Sequence, residues 1–331
     1  MDSLTYWKKR EAEQRLKDIR DQKEYDKEIK KIYDSTMADV QKEIDAFYGK
    51  YAAKEGISIS EAKKRASQLD MDAYSAKAKK YVASRDLSKE ANDEMRIYNM
   101  TMKVNRLELL KANIGMHLVD GFENMGKYFG DKLTSRTLDE FRRQSGILGK
   151  TIMDNSKKAD AIVNGSFHNA KFSDRIWMHQ DLLRDAIGKN VKTGLIQGKN
   201  PRVLAQDIRK TFGSSQYNAE RLMRTEMARV QTEAQMQSFK ENGFTEYQFL
   251  ALGNACDICR AIDGKHFPVD KMMPGENAPP MHPNCRCSTS AYSGRKEYDD
   301  WLNAKNDGSF NGSFEEWSGN GQRGAKQETQ K

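Results

Sequence analysis

The stretch Cys256-Asp-Ile-Cys259, followed by His282-Pro-Asn-Cys285-Arg-Cys287, contains all four cysteines of the 331-residue chain. A Cys-x-x-Cys pair on a tight turn presents two thiolates to one ion, and the second cluster offers further ligands. Cys285 and Cys287 are alternate residues, so an extended strand places both side chains on one face. The spacing therefore predicts either a metal site or a pair of disulfides.

Zinc is the metal that these ligand types favour, because it binds cysteine and histidine tetrahedrally. The N-terminal residues lack the apolar segment of a signal peptide, and we expect the chain in a reducing cytoplasm, where stable disulfides are uncommon. A closed set of four protein ligands leaves no position for water, so we expect the zinc to be structural. Disulfides and inert thiols stay as alternatives. The preferred ligands are Cys256, Cys259, Cys285 and either His282 or Cys287, with His266 as a weaker candidate.

The composition favours long exposed helices over a compact α/β enzyme. Hydrophobic residues make up 37% and charged residues 31% of the chain, and the mean hydropathy is −0.88. The net charge of +8 favours polyanionic partners, and non-specific contact with DNA is one expectation. Lysine interleaved with glutamate along a helix gives the same charge without such a partner. No apolar run reaches the roughly 20 residues that span a bilayer.

Apolar residues at three- and four-residue steps predict long helices in the first half of the chain. One covers residues 5–53 and has a narrow apolar stripe, so it must pack on a partner. A second helical block covers 60–145 and ends in a loop at 145–149. Four glycines in this block indicate breaks or close approach between helices: Gly115, Gly121, Gly126 and Gly130.

The second half of the chain predicts shorter helices and then strands. One helix opens at Phe172, another runs from Pro201 to Gly213, and a third covers 217–241. Strands are predicted at 246–252 and 287–292, and the Asp263-Gly264 pair predicts a hairpin within 261–267. The fold class is therefore mainly α, with a small irregular β module held together by zinc. The expected segments are an elongated helical arm (1–150), a helical domain (151–243), a β/Cys-rich module (244–292) and a flexible polar tail (293–331).

Arg224-Thr225-Glu226 form a polar trio inside the predicted helix 217–241. Arg224 and Arg229 stand at helical spacing from three carboxylates: Glu220, Glu226 and Glu233. Such a pattern indicates ion pairing within or between helices rather than catalysis. We find no nucleophile, base and orienting residue at matching positions, so no catalytic residue is assigned and no enzymatic activity is expected.

An ordered series of motifs runs through residues 165–292. It comprises Phe172-Ser-Asp-Arg-Ile-Trp177, Gly194-Leu-Ile-Gln-Gly198, Arg224-Thr-Glu226, Cys256-x-x-Cys259, Asp263-Gly-Lys265 and His282-Pro-Asn-Cys-Arg-Cys287. In this order the series resembles the phage head-morphogenesis family, the Mu F-like minor capsid proteins. The first 150 residues resemble that family only in being a long helical region ahead of the domain.

The resemblance implies a minor capsid protein in the interior of the head of a tailed bacteriophage, assembled in the host cytoplasm. Such proteins associate with the portal protein inside the procapsid and contribute to head assembly or DNA ejection. Major capsid or scaffold protein is a further expected partner. The family motifs fall on Arg224, Thr225, Glu226, Cys256, Cys259, His282, Cys285 and Cys287, and zinc at these residues is inferred from spacing alone.

Two other functions compete with this one. The basic charge and His282-Pro-Asn284 beside cysteines are compatible with a zinc-dependent nuclease or another nucleic-acid-processing enzyme. A catalytic metal usually has further histidines or carboxylates around it, and few occur near this motif. The third possibility is a helical adaptor unrelated to phage.

Overall fold

The computed structural model describes residues 3–52, 106–150, 152–196, 201–294, 296–314 and 316–318. It confirms a mainly α-helical chain with one small antiparallel sheet. Among the described helices, none has the length and apolar character needed to cross a membrane. The helices are α1 (Ser3–Ala52), α2 (Arg106–Leu148), α3 (Asn155–Val163), α4 (Phe172–Ile196), α5 (Pro201–Glu241), α6 (Asp257–Arg260) and α7 (Lys296–Asn306). The strands are β1 (Glu246–Leu250), β2 (His266–Pro268) and β3 (Ser288–Tyr292).

The helices continue through positions where the sequence predicted ends. The loop predicted at 145–149 is wrong for most of its length, because α2 continues to Leu148. The end predicted at Gly213 is also wrong, since α5 passes through it. One glycine costs a helix only about 1 kcal/mol, and the neighbouring Ile208 and Phe212 are buried. The part of the predicted helical block 60–145 that precedes residue 106 lies outside the described residues.

The three strands form a sheet in the order β2-β1-β3. Tyr247 in the central strand faces Phe267 on one side and Ala291 on the other. Both predicted strands are confirmed, with ends shifted by one or two residues. The predicted hairpin over 261–267 is wrong: the Asp263-Gly264 turn leads into β2, which pairs with β1.

The chain divides into two compact units that interleave along the sequence. The first comprises the described parts of Met1–Tyr25, Phe129–Phe172 and Arg221–Lys331, and the second those of Asp26–Tyr128 and Ser173–Glu220. Neither unit coincides with one of the four segments predicted from the sequence.

The core of the first unit joins the beginning of α1 to α7. Trp7, Tyr298 and Trp301 are buried together with Tyr247 of the sheet. The Trp7 indole donates a hydrogen bond to the Tyr298 hydroxyl at 3.0 Å, which in turn donates to the Ala291 carbonyl at 3.0 Å. The expectation of a flexible tail is therefore wrong for α7, because its aromatic side chains bury enough area to hold it in place.

The second unit packs α1 and α2 around aromatic side chains. Tyr33 meets Phe122 and Phe212 edge to face at 5.7 and 6.3 Å between ring centroids. Gly121 of α2 lies against Thr36 of α1, so closely that a Cβ at Gly121 would overlap the Thr36 hydroxyl. The sequence predicted either a helix break or a close approach between helices at each glycine of α2. Gly121 is a close approach.

Candidate metal centre

The candidate ligands of the Cys-rich module converge on Cys259. Cys256 directly precedes α6 and Cys259 lies within it. The two residues are one helical turn apart, so their sulfurs lie on the same side of the helix. Nε2 of His282 lies 3.3 Å from Cys256 Sγ and 3.6 Å from Cys259 Sγ. Cys285 Sγ lies 3.9 Å from Cys259 Sγ. All four cysteines are free thiols, so the structure contains neither of the disulfides that the sequence allowed.

The cluster forms two overlapping groups. Cys256, Cys259 and His282 make one, and Cys259, Cys285 and Cys287 make the other, with ligand atoms within 4.8 Å of one another in each. Around zinc, bond lengths of about 2.3 Å to sulfur and 2.0 Å to nitrogen give tetrahedral edges of about 3.5 to 3.8 Å. The three separations of 3.3 to 3.9 Å lie close to those edges. Thiolate and imidazole are donors that zinc takes, so each group of three fits part of a tetrahedral zinc site, with Cys259 common to both.

His282 is held in the tautomer that a metal requires. Its Nδ1 lies 2.9 Å from the carbonyl oxygen of Pro283. A carbonyl only accepts hydrogen bonds, so Nδ1 carries a proton and Nε2 is the ring nitrogen that lies beside the thiols, where a metal can take its place. His266, the weaker candidate, contacts other groups. Its ring lies 2.8 Å from Gln248 and stacks on Tyr292.

The electrostatics of the cluster separate Cys285 from Cys287. A hydrogen bond from the Cys287 side chain is the main cause that lowers the pKa of Cys285 to about 5. The same hydrogen bond and burial raise the pKa of Cys287, and burial raises the pKa of Cys259 to about 12. A divalent cation reverses the cost of burying thiolates, because a coordinating thiol is deprotonated outright. By position, Cys285 and Cys287 both lie beside Cys259 as candidate ligands.

A tight turn connects His282 to Cys285. The Cys285 N–H donates to the His282 carbonyl at 3.1 Å, and Asn284 inside the turn has a left-handed φ of 65°. Arg224 of α5 donates from Nη1 to Asn284 Oδ1 at 3.0 Å. The Asn284 N–H donates to the Thr225 hydroxyl at 3.3 Å. The first two residues of the polar trio, Arg224 and Thr225, therefore contact the turn between His282 and Cys285.

Asn284 had no predicted role, although its type carried a usable signal. Asparagine is among the few non-glycine residues that adopt left-handed backbone, and it is common in turns. Its position between a proline and a cysteine ligand therefore pointed to this geometry. The structure also shows Arg224 on the Asn284 amide, a contact that helical spacing does not predict.

Glu226, the third residue of the trio, serves a different contact. It accepts from Arg229 Nε at 2.6 Å, and Arg229 Nη1 reaches Glu233 at 2.9 Å. These ion pairs, predicted from helical spacing, are confirmed. The same guanidinium donates to the last carbonyls of α3, at 2.8 Å to Ile162 and 3.2 Å to Val163. Arg229 therefore supplies donors that the end of α3 lacks.

A buried polar network fastens α1 to the Cys-rich module. Glu11 accepts from Ser288 at 2.6 Å and from Arg143 at 2.7 Å. Arg143 also pairs with Glu140 at 2.6 Å, which accepts from Gln235 at 3.1 Å. No sequence pattern predicted this network, because charged residues of a predicted helix are assigned to its exposed face. Near it, Lys8 of α1 pairs with Asp263 at 2.7 Å.

A cleft borders the cluster within the first unit. Cys285 and Cys287 form part of its wall, so an ion entering the cleft meets two of the candidate ligands. Residues of α1 and α5 form the other walls, among them Arg15, Gln22, Arg224 and Met227.

Two residues of the polar trio thus contact the turn that carries the candidate ligands His282 and Cys285. Residues 185–290 match the family model described as Phage Mu protein F like protein. This match confirms the resemblance seen in the sequence, and it includes the polar trio and all six candidate ligands. Comparison with curated proteins and with solved structures gives no significant match.

Proposed function

We propose that this protein is a minor head protein of a tailed bacteriophage. It binds the portal protein inside the procapsid and contributes to head assembly or to DNA delivery, as a virion component assembled in the host cytoplasm. The observation that supports the proposal is the match of residues 185–290 to the Mu F-like family. Major capsid or scaffold protein and non-specific contact with DNA are its further partners.

Zinc in this proposal has a structural role. The ion is held by Cys256, Cys259, His282 and Cys285, while Cys287 donates to the Cys285 thiolate. It joins α6 to a turn 26 residues later in the chain. The module between β1 and β3 contains a sheet of short strands and many prolines, so it has little regular hydrogen bonding of its own. A metal link supplies folding free energy directly to such a module.

Complex formation with the portal protein tests the head function. The full chain, tagged at one end, is co-expressed with the portal protein of the same phage, and the complex is measured by native mass spectrometry. We expect a stable complex, and peptides of this chain in purified virions. A tagged helical protein of similar size and charge is the control. Absence of both the complex and the virion peptides contradicts the proposal.

Deleting the N-terminal helix is a poor test of portal binding. Tyr6, Trp7 and Glu11 are buried in the first unit, so their removal damages the fold as well as any arm. Substitutions confined to exposed positions of α1, such as Leu16 at 63% exposure, separate contact with a partner from folding.

Elemental analysis tests the metal. Protein purified without chelator is expected to contain about one equivalent of zinc. Cys256→Ser and His282→Ala should each lose it, whereas Cys287→Ser should retain it. Less than about 0.2 equivalents with four titratable thiols rules the site out. If His282→Ala retains zinc and Cys287→Ser loses it, Cys287 is the fourth ligand.

A nuclease function is separated from this proposal by cleavage of plasmid DNA with Mg²⁺ or Zn²⁺. We expect no cleavage, because the Nε2 of His282 faces two thiols that close its side of the site. Robust cleavage that His282→Ala abolishes assigns the protein to the enzymes instead.

A further inference from the structure

We propose that Arg224 and Thr225 are positioning residues for the metal centre. They act through Asn284, which lies inside the turn that carries His282 and Cys285. Their role rests on the zinc site proposed above, and extends it to two residues that are not metal ligands.

Asn284 makes two hydrogen bonds to α5, one through its backbone N–H and one through its side chain. Thr225 accepts from the Asn284 N–H at 3.3 Å, and Arg224 donates to the side-chain oxygen at 3.0 Å. The Thr225 hydroxyl proton is already used, since it points to the Arg221 carbonyl at 2.8 Å. The hydroxyl therefore presents a lone pair to Asn284. Two consecutive residues of α5 thus fix one residue of the turn.

The conformation of Asn284 decides where the two ligands point. Its φ of 65° is disfavoured for residues with a Cβ, even though asparagine tolerates it better than most. This conformation closes the turn, with Cys285 N–H donating to the His282 carbonyl at 3.1 Å. Both ligands move together if the turn opens. Metal–ligand distances tolerate only about 0.2 Å of error, so a loosened turn weakens binding.

The third residue of the trio keeps this part of α5 in place. Glu226 pairs with Arg229, and Arg229 binds the carbonyls at the end of α3. The helix turn that presents Arg224 and Thr225 is therefore anchored directly beside them. Arg224 and Thr225 bind the turn between His282 and Cys285. Glu226 pairs with Arg229, which fixes this part of α5 against α3.

Thr225→Val is the main test, because valine keeps the shape of threonine and removes the hydroxyl. We expect the full-length variant to bind Zn²⁺ about 10- to 100-fold more weakly, the range typical for residues that orient metal ligands. Co²⁺ is the spectroscopic probe, and its visible absorption bands should shift or weaken. The fold is monitored by circular dichroism.

Thr137→Val is the matched control. Thr137 is a buried helical threonine whose hydroxyl donates to the carbonyl four residues earlier, at 2.8 Å to Leu133. Its replacement therefore removes the same kind of helix bond at a position on α2. Wild-type affinity and spectrum are expected. Thr225→Ser, which keeps the hydroxyl, should also bind zinc like the wild type, even if Thr225→Val folds poorly.

A double-mutant cycle tests whether Arg224 acts through Asn284. Asn284→Gly keeps the left-handed backbone accessible and removes the side-chain oxygen. Arg224→Ala should weaken metal binding in the wild type and have no further effect in Asn284→Gly. Fully additive effects contradict action through Asn284.

The outcomes separate the two proposals. A wild-type protein that binds neither Zn²⁺ nor Co²⁺ overturns the metal site and the positioning role with it. Wild-type binding together with unchanged affinity and spectrum in Arg224→Ala and Thr225→Val overturns the positioning role alone.

Discussion

Arg229 donates a hydrogen bond to Glu226 at 2.6 Å, and both side chains are completely or almost completely removed from solvent. Replacing Arg229 by Met leaves the Glu226 carboxylate buried without this ion pair and removes the guanidinium donors from the carbonyls of Ile162 and Val163. We expect a loss of about 3–5 kcal/mol in the free energy of unfolding, measured with urea. Arg142→Met removes an exposed arginine paired with Asp139, and it should change stability by under about 1 kcal/mol. Equal effects of the two substitutions contradict the prediction.

The bond between Trp7 and Tyr298 gives a second prediction. Tyr298→Phe leaves the buried Trp7 indole N–H without an acceptor, so we expect a loss of about 1–3 kcal/mol. Trp7→Ala removes far more buried area, and its loss should reach about 3–5 kcal/mol. Tyr217→Phe deletes the same hydroxyl from a side chain that is 54% exposed and serves as the control. Denaturation midpoints measure all three.

Two glycines of α2 should respond in opposite ways to the same change. In Gly121→Ala the new Cβ lies 3.1 Å from the Cβ of Thr36 and overlaps its hydroxyl, so the helices must separate. A loss of about 1–3 kcal/mol is expected from such overpacking. A Cβ added at Gly126 meets no neighbouring element within 4 Å, and Gly126→Ala should stabilise the helix by about 0.5–1 kcal/mol. Thermal unfolding that ranks Gly126→Ala below Gly121→Ala refutes this packing.

Glu140 should make the free energy of unfolding fall at acid pH. Burial raises its pKa, but the charges of Arg143 and Arg136 outweigh this and lower the pKa to about 2, from an ordinary value of 4.5. Its stabilisation is therefore complete above pH 4.5 and is lost as the pH falls towards 2. Glu11 opposes this trend, because burial raises its pKa.

Urea unfolding across the acid range measures this dependence. Between pH 5 and pH 2.5, Glu140→Gln should lose less stability than the wild type, although it is the less stable protein at pH 7. Glu13→Gln changes an exposed carboxyl of α1 and should keep the wild-type slope. An unchanged slope in Glu140→Gln assigns the acid sensitivity to other groups.

Local signals in the sequence were sufficient to predict that the cysteines and His282 come together and where two of the strands lie. The Cys256-x-x-Cys259 spacing forces two sulfurs together within one turn, whatever the rest of the chain does. The aromatic and apolar run at β1 predicted a strand. Spacing does not separate His282 from Cys287 as a ligand, because both residues flank Cys285 closely along the chain, and each forms a group with Cys259.

Long-range packing explains what the sequence did not predict. Gly213 resembles a helix end, but its buried neighbours on α5 maintain the helix. Trp301 belongs to a polar segment, and only its partners from the other end of the chain show that it is core. Glu11 and Glu140 are buried with their countercharges, and no periodic pattern identifies a buried ion pair.

The pairing of Trp7 with Tyr298 also sets a timetable for folding. The two residues are 291 positions apart, and a ribosome adding roughly 5–20 residues per second needs about 15–60 s to make both. Throughout that interval Trp7 cannot pack against Tyr298, because Tyr298 has not been synthesised. The nascent chain is then open to chaperones and to exchange of α7 with a neighbouring copy, and the first unit closes only once Tyr298 has been synthesised.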